Sequence, residues 1–297
     1  MNSYPQIALS HVQEMTDKAA ADAARAITFQ GAPGANSHLA ALEYDAKCLP
    51  LPCFSFEDAI EAVKNSTADR AIIPIENSLH GRVADIHFLL PESGLSIIGE
   101  HFMPIRHFLM AKDADAKPAN VLSHPQALGQ CRAYLRKNAM QPVPYADTAA
   151  AAAFVADSNE SDNAAIAPEI SAEIYGLNII ASNIEDAGHN MTRFVILSRE
   201  AADISQLSGQ LMTTLIFEVK NVPAALYKAM GAFATNGVNM TKLESYQNSG
   251  SFAATEFYAD IEGAPGDTAV DAALEELAFH CNKVRVLGSY QQTRKRG

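Results

Sequence analysis

The sequence predicts an α/β protein with a larger and a smaller folding unit. Between residues 27 and 181, short apolar runs alternate with turns and helix-prone stretches. This recurrent order is typical of a mostly parallel sheet with right-handed crossovers. After Arg199 the composition changes, and from residue 211 the pattern becomes strand, helix, strand, strand, helix, strand. That second order is the ferredoxin-like arrangement, so two architectures are expected to follow one another along the chain.

Composition narrows the class of function. The 297 residues are 48% apolar and 19% charged, which supports proper cores and is too little charge for a disordered chain. The formal charge of −12 argues against a non-specific nucleic-acid binder and against a protein that binds anionic membranes. No window approaches the length of a membrane span, and the N-terminus has no apolar core of signal-peptide length.

The cysteines are expected to be reduced and mostly buried, as suits a cytoplasmic protein. They form no Cys-x-x-Cys pair and have no partner histidines at zinc spacing, and the histidines show no metal-ligand spacing of their own. We therefore expect no metal site and interpret most histidines as capping or surface residues. The cysteines are Cys48, Cys53, Cys131 and Cys281.

The larger unit is predicted to follow an Ala-rich stretch, residues 10–25, that forms a peripheral helix or a mobile lead-in. Its predicted strands lie at 27–30, 51–54, 70–75, 95–99, 105–111, 121–122, 142–145, 163–167 and 178–181. Predicted helices lie at 38–44, 55–65, 125–137, 149–156 and 170–175.

A linker is predicted at 200–210, and the smaller unit follows it. Its predicted strands lie at 211–219, 238–246, 252–261 and 284–287, with a hairpin turn at Asn248-Ser249-Gly250. One helix begins at Pro223 and ends at Gly237, and a second carries an apolar face between Val270 and Cys281. The final basic residues, 293–296, are expected to be solvated.

A short polar cluster precedes the apolar run 195–197, which is predicted to be a buried strand. The cluster offers the amide of Asn190, the hydroxyl of Thr192 and the charge of Arg193, and His189 borders it. Open α/β sheets bind their ligands at the ends of strands. The alternative is a polar loop that merely leads into a strand.

Several other turns end a strand and begin a helix with a hydroxyl or amide residue. The Gly-rich turn from Gly31 through Gly34 to Ser37 resembles an anion-binding helix start, although a plain strand-to-helix turn is the alternative. Three polar residues, Glu76, Asn77 and Ser78, end a buried strand and form either a ligand wall or a helix cap. Ser123 and Thr148 stand at two further helix starts. A pocket shared by such turns would hold a small dianion through N–H groups and hydroxyls.

Taken together, these segments resemble prephenate dehydratases that carry a C-terminal ACT regulatory domain. The resemblance covers residues 27 to 290, and the segments occur in the family's order. They are Phe29-Gln30-Gly31 with Gly34, Pro74-Ile75-Glu76-Asn77-Ser78 with Gly81, Ser123-His124-Pro125-Gln126 with Gln130, Asp147-Thr148 with the alanines after it, and Thr192-Arg193-Phe194.

The resemblance implies a fold, a reaction and a domain plan. The catalytic domain would have two lobes of the periplasmic-binding-protein type, with the site in the cleft between them. The reaction would be the decarboxylative dehydration of prephenate to phenylpyruvate, in phenylalanine biosynthesis, without metal or organic cofactor. The implied boundaries are 1–26 for an N-terminal extension, 27–199 for the catalytic domain, 200–210 for the linker, 211–290 for the ACT domain and 291–297 for a basic tail.

The resemblance also implies roles for particular residues. Thr192 would donate a hydrogen bond to the departing hydroxyl. Arg193 would hold a substrate carboxylate or hold Thr192, and Glu76 would orient its neighbours or act only as a cap. The implied catalytic residues are Thr192, Arg193, Asn77 and Glu76, and the implied substrate-binding residues are Ser78, Ser123, Gln130, Thr148, Gly34, Ser37 and Phe194.

The smaller unit resembles ACT domains that bind phenylalanine at a dimer interface. It departs from the family's usual Gly-Ala-Leu and Glu-Ser-Arg-Pro, because Ala224 precedes Ala225-Leu226 and Tyr246-Gln247 follows Glu244-Ser245. A dimerisation unit without a ligand is the alternative. The implied effector-binding residues are Asn221, Ala224, Ala225, Leu226, Glu244 and Ser245, in a homodimer or homotetramer.

Two other functions compete with this interpretation. Arogenate dehydratase performs the same chemistry on the amino-acid analogue, and the motifs do not exclude it. A non-catalytic amino-acid sensor would bind in the cleft without reaction, and the presence of Thr192 argues against it. Residues 1–26 are too short for the helical domain of a fused chorismate mutase, so we expect no such activity.

Overall fold

The computed structural model describes residues 4–246 and 256–296. It divides into two compact units: residues 1–83 with 102–194, and residues 84–101 with 195–297. None of the helices in these described stretches is both long enough and apolar enough to cross a membrane. The predicted hairpin turn at 248–250 lies outside the described residues.

The helices and strands are numbered in chain order. The helices are α1 (Gln6–Ala21), α2 (Asn36–Tyr44), α3 (Phe56–Lys64), α4 (Ala84–Glu92), α5 (Pro125–Gln130), α6 (Arg132–Lys137), α7 (Thr148–Asp157), α8 (Glu169–Tyr175), α9 (Ala225–Thr235) and α10 (Thr268–His280). The strands are β1 (Ala26–Gln30), β2 (Leu49–Cys53), β3 (Arg70–Asn77), β4 (Gly81–Arg82), β5 (Ser96–Pro104), β6 (Phe108–Ala111), β7 (Asn120–Ser123), β8 (Gln141–Pro144), β9 (Asn163–Ala167), β10 (Asn178–Ala181), β11 (Met191–Ser198), β12 (Leu211–Val219), β13 (Met240–Tyr246), β14 (Glu256–Glu262) and β15 (Cys281–Gln291).

The first sheet has the strand order β2-β1-β3-β11-β5, and β4 pairs with the end of β3. Strand β1 is parallel to both β2 and β3. The middle strands are apolar and buried: Ile27, Phe29, Ile72 and Phe194 belong to one core cluster. Near-continuous apolar runs of this kind are what a parallel sheet covered on both faces requires.

The second sheet has the order β10-β6-β9-β7-β8. Strand β7 is parallel to β8 and β9, whereas β6 is antiparallel to β9 and β10. Five consecutive alanines, residues 149–153 of α7, are buried against this sheet. The two sheets and their helices form the two lobes expected of the fold class.

The smaller unit contains the ferredoxin-like sheet, which confirms the predicted order of elements. Its strands are arranged β13-β14-β12-β15, and all three pairings are antiparallel. Helices α9 and α10 bury Ala229, Phe233 and Leu277 with the sheet residues Leu215 and Phe217.

The expectation of a solvated C-terminal tail is wrong at Arg296. Its guanidinium forms an ion pair with Glu100, and it lies 3.5 Å from Asp260. Both carboxylate side chains are fully buried. The reason is electrostatic, because buried carboxylates are stable as anions only when a cation or hydrogen-bond donors compensate them.

A close backbone contact joins β15 to β5 within the smaller unit. A methyl group at Gly288 would overlap the carbonyl and amide groups of Ile97. We therefore expect Gly288→Ala to lower the free energy of unfolding by about 1–3 kcal/mol, the usual cost of overpacking. Urea unfolding measures this change.

The matched control is Gly231→Ala in α9, where an added methyl group meets nothing within 4 Å. The same substitution in a helix with open space raises stability by about 0.5–1 kcal/mol. Equal urea midpoints for the two variants would show that the contact with Ile97 does not constrain residue 288.

Candidate active site

A cavity of about 270 Å³ opens in the larger unit. The first-sheet lobe contributes the end of β1, the end of β3 and the start of β11, and the second-sheet lobe contributes the starts of α5 and α7. The polar lining residues are Gln30, Asn36, Ser37, Asn77, His80, Arg82, His107, His124, Gln126, Gln130, Asp147, Thr148, Asn190 and Thr192.

Thr192 and Asn77 meet in this cavity. The Nδ2 group of Asn77 donates to Thr192 Oγ1 at 3.0 Å and to Asn190 Oδ1 at 2.7 Å. Because Thr192 Oγ1 accepts this bond, its own hydrogen remains available for donation. No acceptor for that hydrogen lies within hydrogen-bond distance among the described residues, and Thr192 is only 8% exposed. The hydroxyl is therefore a donor directed at whatever occupies the cavity.

The turn after β3 fixes the orientation of Asn77. Its Oδ1 atom accepts the backbone N–H groups of Leu79 at 3.0 Å and His80 at 3.1 Å. An oxygen that is engaged in this way leaves the Nδ2 group to face Thr192. The start of β11 is tied to the same turn, because Ser78 N donates to Met191 O at 2.8 Å.

Three further side chains face the cavity with unused hydrogen-bonding capacity. The hydroxyls of Ser37 and Thr148 and the amide of Asn36 line it and have no partner within the described part of the chain. Helix α2 begins here after Ala35, which supplies no side-chain cap. Free N–H groups at a helix N-terminus attract anions, so this wall suits a carboxylate.

One carboxylate lines the cavity wall. Asp147 caps α7 by accepting the N–H of Ala150 at 2.6 Å. Burial raises the pKa of Asp147, while bonds from the backbone N–H groups of Ala150, Ala32 and Ala149 oppose the rise. Its oxygens are therefore engaged by the protein rather than directed to a ligand.

Burial also shifts the pKa of His107, a histidine that lines the cavity. The residue is 2% exposed, and burial lowers its pKa, with Gln130 and Glu185 opposing the shift. The Nε2 atom lies 2.5 Å from Gln130 Oε1. A neutral imidazole with one donor nitrogen fits this environment.

Several residues predicted to bind substrate lie outside the cavity lining. Ser123 is fully buried and donates to Ile166 O at 2.6 Å, because its side chain is directed into the second sheet. The Ser78 hydroxyl donates to His189 O in the loop before β11 and accepts from Met191 N at the start of that strand. Gly34 is packed against Ser171, whose hydroxyl donates to its carbonyl oxygen at 2.9 Å.

Two predicted catalytic residues face away from the cavity as well. Arg193 is 2% exposed, forms an ion pair with Glu76 at 2.9 Å and lies over the ring of Phe102. Successive residues of a strand point to opposite faces, so Arg193 cannot share the cavity with Thr192. Of the two predicted roles for Arg193, holding Thr192 is compatible with this position and binding a substrate carboxylate is not. Six of the predicted site residues line this cavity: Asn77, Thr192, Gln130, Thr148, Ser37 and Phe194.

Sequence reasoning missed His80, Arg82 and His107 as lining residues. The turn after β3 brings His80 and Arg82 to the cavity. Both could have been predicted, because they follow closely after the predicted ligand wall Glu76-Asn77-Ser78. His107 precedes β6 and carries no sequence signal, because its partner Gln130 is 23 residues away. His189, which was expected to border the cleft, is exposed and contributes its carbonyl to Ser78.

The predicted effector residues lie at two places in the smaller unit. Ala224 precedes α9 with φ of +61°, a left-handed conformation that disfavours alanine, and Ala225 is buried behind it. Leu226 packs against the core cluster, whereas Asn221 is exposed. Glu244 and Ser245 lie on β13, and Glu244 forms an ion pair with Lys242 at 2.9 Å.

Known proteins are similar to this chain in both sequence and fold. The family model described as prephenate dehydratase matches residues 27–202. A protein of Komagataeibacter europaeus, named bifunctional N-acyl-homoserine lactone acylase/prephenate dehydratase, is 45% identical over 90% of this chain and 95% of its own length. The chloroplastic arogenate dehydratase/prephenate dehydratase 1 of Arabidopsis thaliana is 38% identical over 89% of this chain and 71% of its own.

A solved structure of a related protein is also similar to this chain. The prephenate dehydratase of Arthrobacter aurescens, determined in complex with L-Phe, is 30% identical and covers 90% of each chain with a TM-score of 0.81. The family match, the relatives and the shared fold lead to one conclusion: the chain belongs to the prephenate dehydratase family.

Proposed function

We propose that this protein converts prephenate to phenylpyruvate, with Thr192 assisting departure of the ring hydroxyl. The observation that carries the proposal is the donor orientation of Thr192. Asn77 donates to its oxygen, and its hydrogen is left for the cavity.

The chemistry requires no covalent intermediate. The bond from the ring to its carboxylate breaks, carbon dioxide leaves, and the electron pair moves into the ring. The carbon–oxygen bond to the hydroxyl breaks at the other end of the ring, and the leaving hydroxide, which accepts a hydrogen bond from Thr192, takes up a proton from solvent to become water. The product ring is aromatic, so the reaction is strongly downhill. A preorganised donor at the leaving oxygen therefore supplies the help that is needed most.

Substrate binding is assigned to the opposite wall of the cavity. Prephenate carries two carboxylates, and the start of α2 offers N–H groups with the Ser37 hydroxyl and Asn36 amide. Thr148 offers a second hydroxyl, and Arg82 adds a positive charge at the exposed side. These groups bind anions by directed hydrogen bonds.

The cavity favours prephenate over arogenate. Arogenate replaces the keto group by an ammonium, which is best paired with a free carboxylate. The carboxylate of the described lining, Asp147, accepts backbone N–H groups of the α7 start instead. We therefore expect a higher kcat/KM for prephenate.

Steady-state assays of both compounds with the purified protein test this function. Turnover of prephenate to phenylpyruvate, at a higher kcat/KM than turnover of arogenate to phenylalanine, is the expected result. The reverse order would assign the protein as an arogenate dehydratase. Binding of either compound without product would make it an amino-acid sensor.

We propose further that residues 211–290 form an ACT domain through which L-phenylalanine inhibits the reaction catalysed by residues 27–199. The ferredoxin-like sheet and the L-Phe complex of the Arthrobacter aurescens relative support this. Such a domain binds its effector between two copies, so we propose a homodimer or homotetramer. The free cysteines support a cytoplasmic protein.

Phenylalanine is expected to raise the thermal unfolding temperature. A ligand present at 100 times its dissociation constant stabilises the native state by about 2.7 kcal/mol. Thermal-shift titration with L-phenylalanine measures the effect, and D-phenylalanine is the control ligand. Ala224→Gly is the informative variant, because glycine adopts positive φ without strain.

We expect Ala224→Gly to be more stable without ligand and to keep the shift. Absence of any shift with L-phenylalanine in both proteins would leave the domain as a dimerisation unit.

A further inference from the structure

A continuous chain of polar side chains runs from Thr192 to His107. Asn77 Nδ2 joins Thr192 Oγ1 at 3.0 Å to Asn190 Oδ1 at 2.7 Å. Asn190 Nδ2 then donates to Gln130 Oε1 at 3.1 Å. His107 Nε2 lies 2.5 Å from that same oxygen. The residue at the far end of the chain has no role in the reaction derived above.

The hydrogen positions along this chain follow from its fixed end. Two backbone N–H groups hold the oxygen of Asn77, so its nitrogen must face Thr192 and Asn190. The oxygen of Asn190 accepts, so its nitrogen faces Gln130. Gln130 Oε1 therefore accepts as well, and His107 Nε2 must carry a hydrogen.

His107 is itself held firmly. Its backbone N–H donates to Glu185 Oε2 at 3.1 Å, and Arg106 fixes the other oxygen of that carboxylate at 2.8 Å. Its backbone oxygen accepts from Ile184 N at 3.1 Å. The imidazole is thus a rigid donor at the base of the polar chain.

A histidine at position 107 costs free energy because of its other ring nitrogen. His107 Nδ1 is buried and has no hydrogen-bond partner within the described ranges 4–246 and 256–296. A buried polar atom without a partner costs free energy, and native structures contain few of them. The hydrogen bond from His107 Nε2 to Gln130 is the contact that compensates for this cost.

We propose that His107 is a positioning residue for Thr192. Its Nε2–H group holds the oxygen of Gln130 in place as an acceptor for Asn190, and the oxygen of Asn190 in turn holds the Asn77 nitrogen beside Thr192 Oγ1. Without this donor, the Gln130 amide loses one of the bonds that hold it, and the Asn190 and Asn77 amides lose part of their support. The backbone N–H groups of Leu79 and His80 keep the order of donors and acceptors, so the expected loss is one of rigidity beside Thr192. The effect on catalysis rests on the proposed function, whereas the hydrogen-bond order does not.

The hydrogen-bond order is tested without substrate. Nitrogen-15 NMR of histidine-labelled protein distinguishes the two neutral tautomers and the imidazolium, and His107→Gln identifies the His107 signals by their loss. At pH 7 we expect the neutral Nε2–H tautomer with a slowly exchanging proton. An Nδ1–H tautomer or an imidazolium would overturn the proposal.

The kinetic consequence is tested with two substitutions, one that removes the donor and one that supplies another donor. His107→Phe removes the donor, and we expect kcat on prephenate to fall about tenfold with little change in KM. His107→Gln places an amide donor near the same position, and we expect it to recover most of the lost rate. Equal losses in the two variants would mean that only packing had been disturbed, and the positioning role would fail.

The Thr192→Val background separates an action through Thr192 from any other action. There, His107→Phe should change kcat less than twofold, because residues that act through one group have non-additive effects. A further tenfold loss in that background would overturn the proposal. If the wild-type protein does not convert prephenate, the proposed function fails, and the NMR result still decides the hydrogen-bond order.

Discussion

Thr192→Val is expected to lower kcat on prephenate by roughly 10²–10³-fold while the protein stays folded, as is usual for loss of one preorganised donor. Valine has nearly the same shape as threonine and removes only the hydroxyl. The KM should change much less than kcat, because the donor acts on the oxygen that departs in the transition state. Steady-state kinetics with far-ultraviolet circular dichroism as the folding check make the measurement.

Two variants control for side effects of this change. Thr192→Ser keeps the hydroxyl and should retain much more activity than Thr192→Val. Thr28→Val removes a buried hydroxyl that donates to Ala59 O at 3.0 Å, away from the cavity lining. It should reduce stability and leave kcat close to that of the wild type. Near-normal turnover by Thr192→Val would remove Thr192 from the mechanism.

Arg296→Met is expected to lower the free energy of unfolding by about 3 kcal/mol, the scale for removal of one partner of a buried ion pair. The change removes the Arg296 guanidinium from the buried carboxylates of Glu100 and Asp260. Some compensation remains, because Thr293 N donates to Glu100 at 3.1 Å and Thr214 donates to Asp260 at 2.6 Å. Urea unfolding gives the free energy.

Lys295→Met is the matched control for this prediction. The neighbouring lysine is exposed, and its loss removes the same charge from the tail. We expect its urea midpoint to equal that of the wild type. If Arg296→Met also unfolds at the wild-type midpoint, the arginine does not compensate the buried carboxylates.

The convergence of Asn77 and Thr192 could be predicted because each stands where a buried strand meets a polar turn. Strands β3 and β11 are neighbours in the sheet, so the end of one meets the start of the other. The same reasoning failed at Ser123, which also ends a strand. Its side chain is directed into the sheet, and the sequence pattern does not determine which face a residue takes in a short strand that is buried almost throughout, such as β7.

Contacts between residues that lie far apart in the sequence were also hard to predict. Strand alternation alone separates Thr192 from Arg193, and this signal was available in the sequence. By contrast, Arg296 and Glu100 are 196 residues apart, and nothing near either residue indicates the other. The smaller unit was predicted accurately in its element order, because its helices and strands have clear apolar periodicity and turn residues.

In the proposed function, the cavity around Thr192 binds prephenate and turns it into an aromatic product. Incubation of the purified protein with prephenate, followed by simultaneous measurement of phenylpyruvate and carbon dioxide, tests it most directly. Both products are expected in equal amounts, at a rate that Thr192→Val abolishes almost completely. Recovery of unchanged prephenate at high enzyme concentration would contradict it.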